Sequence, residues 1–127
     1  MQVNPLDFVL VVDDSASMVK IVSNIAEKLG YKNIDTAASG LEAMKKIQST
    51  SYKLILSDWN MEPVTGIQLL RAVRQLKAGP TDANVPFILI TAEVKPENIK
   101  AAVEAKVSGY VAKPFTAETL KEKIDAI

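Results

Sequence analysis

The sequence contains no cysteine and no histidine. Without cysteine there is no disulfide, no thiolate nucleophile and no sulfur-ligated metal. Without histidine, the commonest general base and the commonest metal-binding ring are missing as well. A net charge is also lacking: fifteen basic residues balance fifteen acidic ones over 127 residues. That balance removes any bulk electrostatic reason to bind nucleic acid or an anionic membrane. No apolar run approaches the ~20 residues of a membrane span. The segment Met1-Gln2-Val3-Asn4-Pro5 lacks the basic and apolar regions of a signal peptide. The expected setting is the cytoplasm, for a monomer that meets its partners through local surface. Chemistry in such a chain must run on carboxylates, hydroxyls, lysine and a hard cation.

What is present is ordinary for a globular domain. Hydrophobic residues make up 48% and charged residues 24%, enough apolar surface to bury a core, and the length suits one domain over residues 1–127. Short apolar runs alternate with amphipathic stretches throughout. Phe8–Val12, Ile34–Ala37, Leu54–Leu56, Phe87–Ile90 and Tyr110–Ala112 are too short for stable helices and read as strands, most of them apolar on both faces. Between them run helical patterns: Met18, Ile21, Val22, Ile25, Ala26 and Leu29 before Gly30; Leu41, Met44 and Ile47; Leu69, Leu70, Val73 and Leu76; Ile99 and Val103; Leu120, Ile124 and Ile127. Ser39 with Glu42 and Thr65 with Gln68 form capping boxes, Pro96 suits a first turn and Thr116 an N-cap. Five strand–helix units predict an α/β, doubly wound parallel sheet with helices on both faces.

In such sheets ligands bind beyond the carboxyl ends of the strands, where the strand order reverses. In the order 2-1-3-4-5 that point lies between strands one and three. Asp13 and Asp14 follow strand one, Asp58 follows strand three, Thr91 strand four and Lys113 strand five. Each has a bland reading: an Asp pair is often a turn or cap, a Lys-Pro a turn, a terminal Thr structural. Together they gather three carboxylates, a hydroxyl and an ammonium at one end of one sheet. Crowded carboxylates need a proton or a cation between them, and oxygen-only ligands select Mg²⁺, with Mn²⁺ or Ca²⁺ as alternatives. A carboxylate nucleophile, a divalent ion, a lysine and a hydroxyl are the requirements of phosphoryl transfer to an aspartate.

The stretches Val11-Val12-Asp13-Asp14, Ser57-Asp58-Trp59-Asn60-Met61, Thr91-Ala92-Glu93 and Gly109-Tyr110-Val111-Ala112-Lys113-Pro114-Phe115 resemble the receiver domains of two-component response regulators, over essentially the whole chain. Asp58-Trp59-Asn60-Met61 and Lys113-Pro114-Phe115-Thr116-Ala117 are similar to the narrower signature of chemotaxis members. The resemblance implies a flavodoxin-like (βα)5 fold and an Asp58 that accepts phosphate from a phosphohistidine on a histidine kinase. It implies that Asp14, Asp58 and the Asn60 backbone carbonyl ligate Mg²⁺, with Asp13 acting largely through water. Lys113 would pair with Asp58 or the phosphoryl group, and its bond to Pro114 would be cis. Thr91 and Tyr110 would form the switch, Asn60 and Glu93 would modulate dephosphorylation, and Val94, Lys95, Tyr110 and Lys123 would form the partner face. The partners implied are the kinase, a phosphatase and the flagellar motor switch protein. Glu62 stands where the family usually has proline, and Thr65 where it usually has aspartate.

Three other readings compete. A stand-alone receiver outside motility would relay or drain phosphate. A metal-dependent phosphatase with Asp58 as nucleophile needs a second aspartate two residues on, and Asn60 stands there. An FMN protein of the same architecture needs a phosphate cradle after strand one, where Asp13 and Asp14 would repel it.

Overall fold

The structure, a computed structural model, describes residues 1–92 and 94–127. Five strands and five helices alternate: β1 Phe8–Val12, α1 Ala16–Lys28, β2 Asn33–Ala37, α2 Gly40–Ile47, β3 Tyr52–Asp58, α3 Gly66–Arg74, β4 Phe87–Thr91, α4 Pro96–Glu104, β5 Gly109–Ala112 and α5 Ala117–Asp125. All strand pairs are parallel, and the order is β2-β1-β3-β4-β5, as expected.

Period-two alternation divides the sheet between two cores. Val9, Val11, Leu54, Leu56, Ile88, Ile90 and Val111 pack with Val22 and Ala26 of α1 and Leu120 and Ile124 of α5. Leu10, Val12, Ile55, Phe87 and Leu89 point the other way, against Ala43 and Ile47 of α2, Leu69, Leu70 and Val73 of α3 and Ala102 of α4. Burial on both faces explains why these strands read as continuous apolar runs.

The expected caps form. The Thr65 hydroxyl accepts from the Gln68 amide while Gln68 accepts from the Thr65 amide. Ser39 accepts from the Glu42 amide, but Glu42 reaches one residue further back, to the amide of Ala38. Ser15 and Thr116 cap α1 and α5.

Three helical faces are rotated from expectation. In α2 the inward residues are Gly40, Ala43 and Ile47, and Leu41 is 56% exposed. The cause is Gly40, which packs so tightly on Val64 that a Cβ there would come within 2.7 Å of it; this fixes the inward stripe one residue earlier. In α4 only Ala102 is buried, leaving Ile99 and Val103 exposed together with Val94. In α1, Ile21 is exposed beside the buried Val22. Strand β3 also begins earlier than its apolar triplet: Tyr52 pairs with Phe8 of β1, and its amide donates to the buried Thr81 hydroxyl.

Candidate functional site at the carboxyl ends of the strands

Strand register sets the site. Val12 lies opposite Ser57, so Asp13 and Asp58 each stand one residue beyond that pair. Asp58 lies opposite Ile90, which puts Thr91 one step above it, and Thr91 lies opposite Ala112, which puts Lys113 one step higher again. The Lys113 amide donates to the Thr91 carbonyl at 2.8 Å and the Trp59 amide to the Ile90 carbonyl at 3.2 Å, so hydrogen bonding continues past the ladder proper.

Carboxylate oxygens of Asp13, Asp14 and Asp58 lie within 4.8 Å of one another. Asp13 and Asp58 are buried, while Asp14 faces solvent. The Lys113 ammonium donates to Asp58 Oδ1 at 2.9 Å, and the Ser15 amide donates to Asp13 Oδ1 at 2.9 Å. Burial pushes the Asp13 carboxyl above the ordinary carboxylate range; the Ser15 amide opposes this, the Asp58 charge adds to it, Lys113 opposes it and Asp14 adds again. Three like charges held this close fit a divalent cation. The clustered donors are oxygens only, one carboxylate is open to solvent, and the chain has neither cysteine nor histidine.

The turn after β3 is fixed by packing. Met61 is buried in the core, its amide donates to the Trp59 carbonyl, and the Gly66 amide donates to the same carbonyl at 2.8 Å. A Cβ on Gly66 would fall 2.2 Å from the Asp58 carbonyl oxygen, so only glycine lets α3 start this close to the acceptor. That constraint was missed in the sequence reading; the signal available was a glycine directly after the Thr65 cap. Asn60 is exposed and lines a groove of about 350 Å³ with Asp14, Trp59, Met61, Glu62 and Thr65. Both Lys113–Pro114 and Glu62–Pro63 are cis; the second was not anticipated.

Thr91 is fully buried at the end of β4. Tyr110 is half-buried, packs on the core below α4 and meets Trp59 edge to face at 6.4 Å, with its hydroxyl out of reach of solvent. Its ring is therefore turned inward, away from the surface where Val94, Lys95 and Lys123 are exposed. Glu93 lies outside the described residues. On the other side of Lys113, an apolar recess of about 390 Å³ is lined by Met18, Ile21, Pro114 and Phe115. No helix of the described residues is long and apolar enough to cross a membrane.

The family model of the response regulator receiver domain matches residues 9–125. The chemotaxis protein CheY of Pseudomonas aeruginosa is 43% identical over 94% of this chain and 94% of its own length, and CheY-3 of Vibrio cholerae 42% identical over 94% and 89%. Among solved structures, the chemotaxis response regulator CheY4 of Vibrio cholerae superposes with a TM-score of 0.82 at 34% identity, covering 94% of this chain and 96% of that one. The receiver domain of the sensor histidine kinase PA1611 from Pseudomonas aeruginosa, described with a magnesium ion coordinated in its active site cleft, matches with a TM-score of 0.79 at 25% identity over 91% and 92%.

Proposed function

This chain belongs to the response regulator receiver family, and from that premise we propose that Asp58 is the phosphoacceptor of a two-component relay, with Mg²⁺ held by Asp13, Asp14, Asp58 and the Asn60 carbonyl. The observation that carries this is the junction of Asp13, Asp14 and Asp58 within 4.8 Å, with Lys113 bound to Asp58. The magnesium in the PA1611 receiver supports the choice of ion. When bound, Mg²⁺ supplies Lewis-acid charge stabilisation for phosphoryl oxygens.

Lys113 occupies Asp58 Oδ1, leaving the other carboxylate oxygen to attack phosphorus. As the new P–O bond forms, the P–N bond to the donor histidine breaks and its electron pair returns to the imidazole. The Lys113 ammonium then serves a phosphoryl oxygen, and a charge-assisted hydrogen bond to that group draws in the Thr91 hydroxyl. Tyr110 lies on the neighbouring strand beside the Asp58–Trp59 turn, so a shift of Thr91 is felt by a ring already turned inward. Asn60, exposed two residues beyond Asp58, modulates hydrolysis of the acyl phosphate, as does Glu93, two residues beyond Thr91 in the sequence.

The protein is a signalling switch in the cytoplasm that catalyses only its own phosphorylation and dephosphorylation. Its output partner, the flagellar motor switch, meets the face of exposed Val94, Lys95 and Lys123, beneath which the Tyr110 ring lies turned inward, and the chemotaxis proteins among its relatives support this assignment. Acetyl phosphate with Mg²⁺ is expected to label the wild type. Asp58→Asn should lose the label entirely by intact-mass measurement, and a chelator should block it; labelling that survives Asp58→Asn rules the acceptor out.

A further inference from the structure

The acidic cluster does not end at the three aspartates. Asp14, the only solvent-facing member, also lines the groove that contains Glu62. Glu62 is exposed, and no lysine or arginine among the described residues pairs with it: the ion pairs of the fold engage Glu42, Glu104, Asp58 and Asp125. Nor is Glu62 free to drift away. Met61 before it is buried in the core, and the turn is closed behind it by the Gly66 amide on the Trp59 carbonyl, with Gly66 wedged against Asp58. The entrance to the acceptor thus carries Asp13, Asp14, Asp58 and Glu62 against one ammonium, that of Lys113. A divalent cation would neutralise the three aspartates together with Lys113. The charge of Glu62 would remain.

Resting on the phosphoacceptor reading above, we infer that Glu62 is a specificity-determining residue of this site: its carboxylate strengthens divalent-cation binding and disfavours dianionic small-molecule phosphodonors. The physics is long-range. A fixed anion within a screening length of the ion lowers the free energy of the bound cation, and it repels an incoming donor in proportion to the donor's charge. Two small donors separate these effects. Acetyl phosphate is a dianion at neutral pH; the Asp58 oxygen forms the new P–O bond as the acetate oxygen leaves with the electron pair of the old one. Phosphoramidate carries a protonated amine and one net negative charge. Its P–N bond breaks as the new P–O bond forms, and neutral ammonia departs with the electron pair and no further proton.

Trp59, half-buried and adjacent to Asp58, reports both events by fluorescence. In Glu62→Gln, the dissociation constant for Mg²⁺ should rise about two- to fivefold at low ionic strength. With each protein saturated in Mg²⁺, the acetyl phosphate rate should rise by a similar factor and the phosphoramidate rate by only about its square root, so that their ratio shifts. Both differences should shrink as salt is added, and Glu62→Asp should restore them, which a purely structural role of this exposed side chain would not produce. An unchanged Mg²⁺ affinity, or an unchanged donor ratio, overturns the role of Glu62 and leaves Asp58 as acceptor intact. A wild type that neither donor labels overturns the acceptor reading itself, while the Mg²⁺ titration still tests Glu62.

Discussion

The two ends of the sheet hold their polar groups in opposite ways. Near the amino ends of β3, β4 and β5, a set of buried and half-buried polar groups is paired within the chain. The Tyr52 amide donates to the Thr81 hydroxyl, which donates in turn to the Thr50 carbonyl. Burial, and the hydrogen bond that the Tyr52 hydroxyl donates to Asp35 at 2.7 Å, raise the phenol well above its ordinary range. The Arg74 guanidinium donates to the carbonyls of Ala83, Val85 and Lys106 and to the Ser108 hydroxyl, which also accepts from the Phe87 amide. At the carboxyl ends, Asp13, Asp14 and Asp58 are pressed together with one lysine among them. The Tyr52–Thr81 and Arg74 groups are satisfied within the chain; the aspartate cluster becomes satisfied only by a ligand. Local instability of that kind is what a binding site costs, and a two-layered core on either side of the sheet holds it in place.

The largest effect expected from breaking this contrast is at the satisfied end. Arg74→Met keeps much of the volume but strips three carbonyls of their donor, in a place where burial already lowers the Arg74 pKa. Folding stability should fall by about 2–3 kcal/mol in urea unfolding, with Mg²⁺ affinity of the folded protein unchanged. Altered Mg²⁺ binding would mean that the two ends are coupled through β4, and the contrast would fail.

Next in size is Asp14→Ala, at the unsatisfied end. Asp14 is exposed, and among the described residues its carboxylate takes part in no hydrogen bond or ion pair of the fold, so stability without metal should hold or rise. Mg²⁺ affinity, read from Trp59 fluorescence, should fall about tenfold or more, equivalent to ~1.4 kcal/mol. Wild-type affinity in this variant would remove Asp14 from the ligand set.

Much of this contrast was legible in the sequence, but unevenly. Strand order, the capping residues and the positions of Asp13, Asp14, Asp58, Thr91 and Lys113 were readable because each depends on local spacing or on one rule of parallel-sheet topology. The amino-end network was not. Thr81 lies in a Gly- and Pro-rich stretch that reads as a loop, and nothing in the sequence around Arg74 marks it out. Both residues take their roles from chain that the fold brings to them, from Thr50 and Tyr52 for Thr81 and from Lys106 and Ser108 as well as the nearer Ala83 and Val85 for Arg74, which no local pattern encodes. The outward rotation of Leu41 likewise depends on Val64 meeting Gly40. The inward ring of Tyr110 depends on Trp59, across the sheet. At the site itself, side-chain types were legible because chemistry restricts them, while the close fit of Gly66 against Asp58 appears only once α3 is in place.

The smallest effect expected is also the most diagnostic, because its sign should reverse. Burial, and the charges of Asp58 and Asp14, raise the Asp13 pKa from its ordinary value of 3.8. A carboxyl whose pKa is higher folded than unfolded binds its proton more tightly in the folded state. It therefore stabilises the fold fully below about pH 3.8, and that contribution is lost as pH rises through the folded value. Asp13→Asn retains an oxygen for the Ser15 amide but cannot ionise. Without metal, the two proteins should be equally stable in acid. The variant should then pull ahead as the pH climbs toward neutrality, by about 1 kcal/mol, or a few degrees in Tm. Saturating Mg²⁺ should invert the order at neutral pH, since a ligand bound only by the folded state adds ~1.4 kcal/mol at ten times its dissociation constant, and the wild type binds it better. Thermal melts of both proteins with Mg²⁺ or with a chelator, at pH 4 and pH 7, test all four corners. If the order at neutral pH is the same with and without Mg²⁺, the strain among these carboxylates is not what the cation relieves.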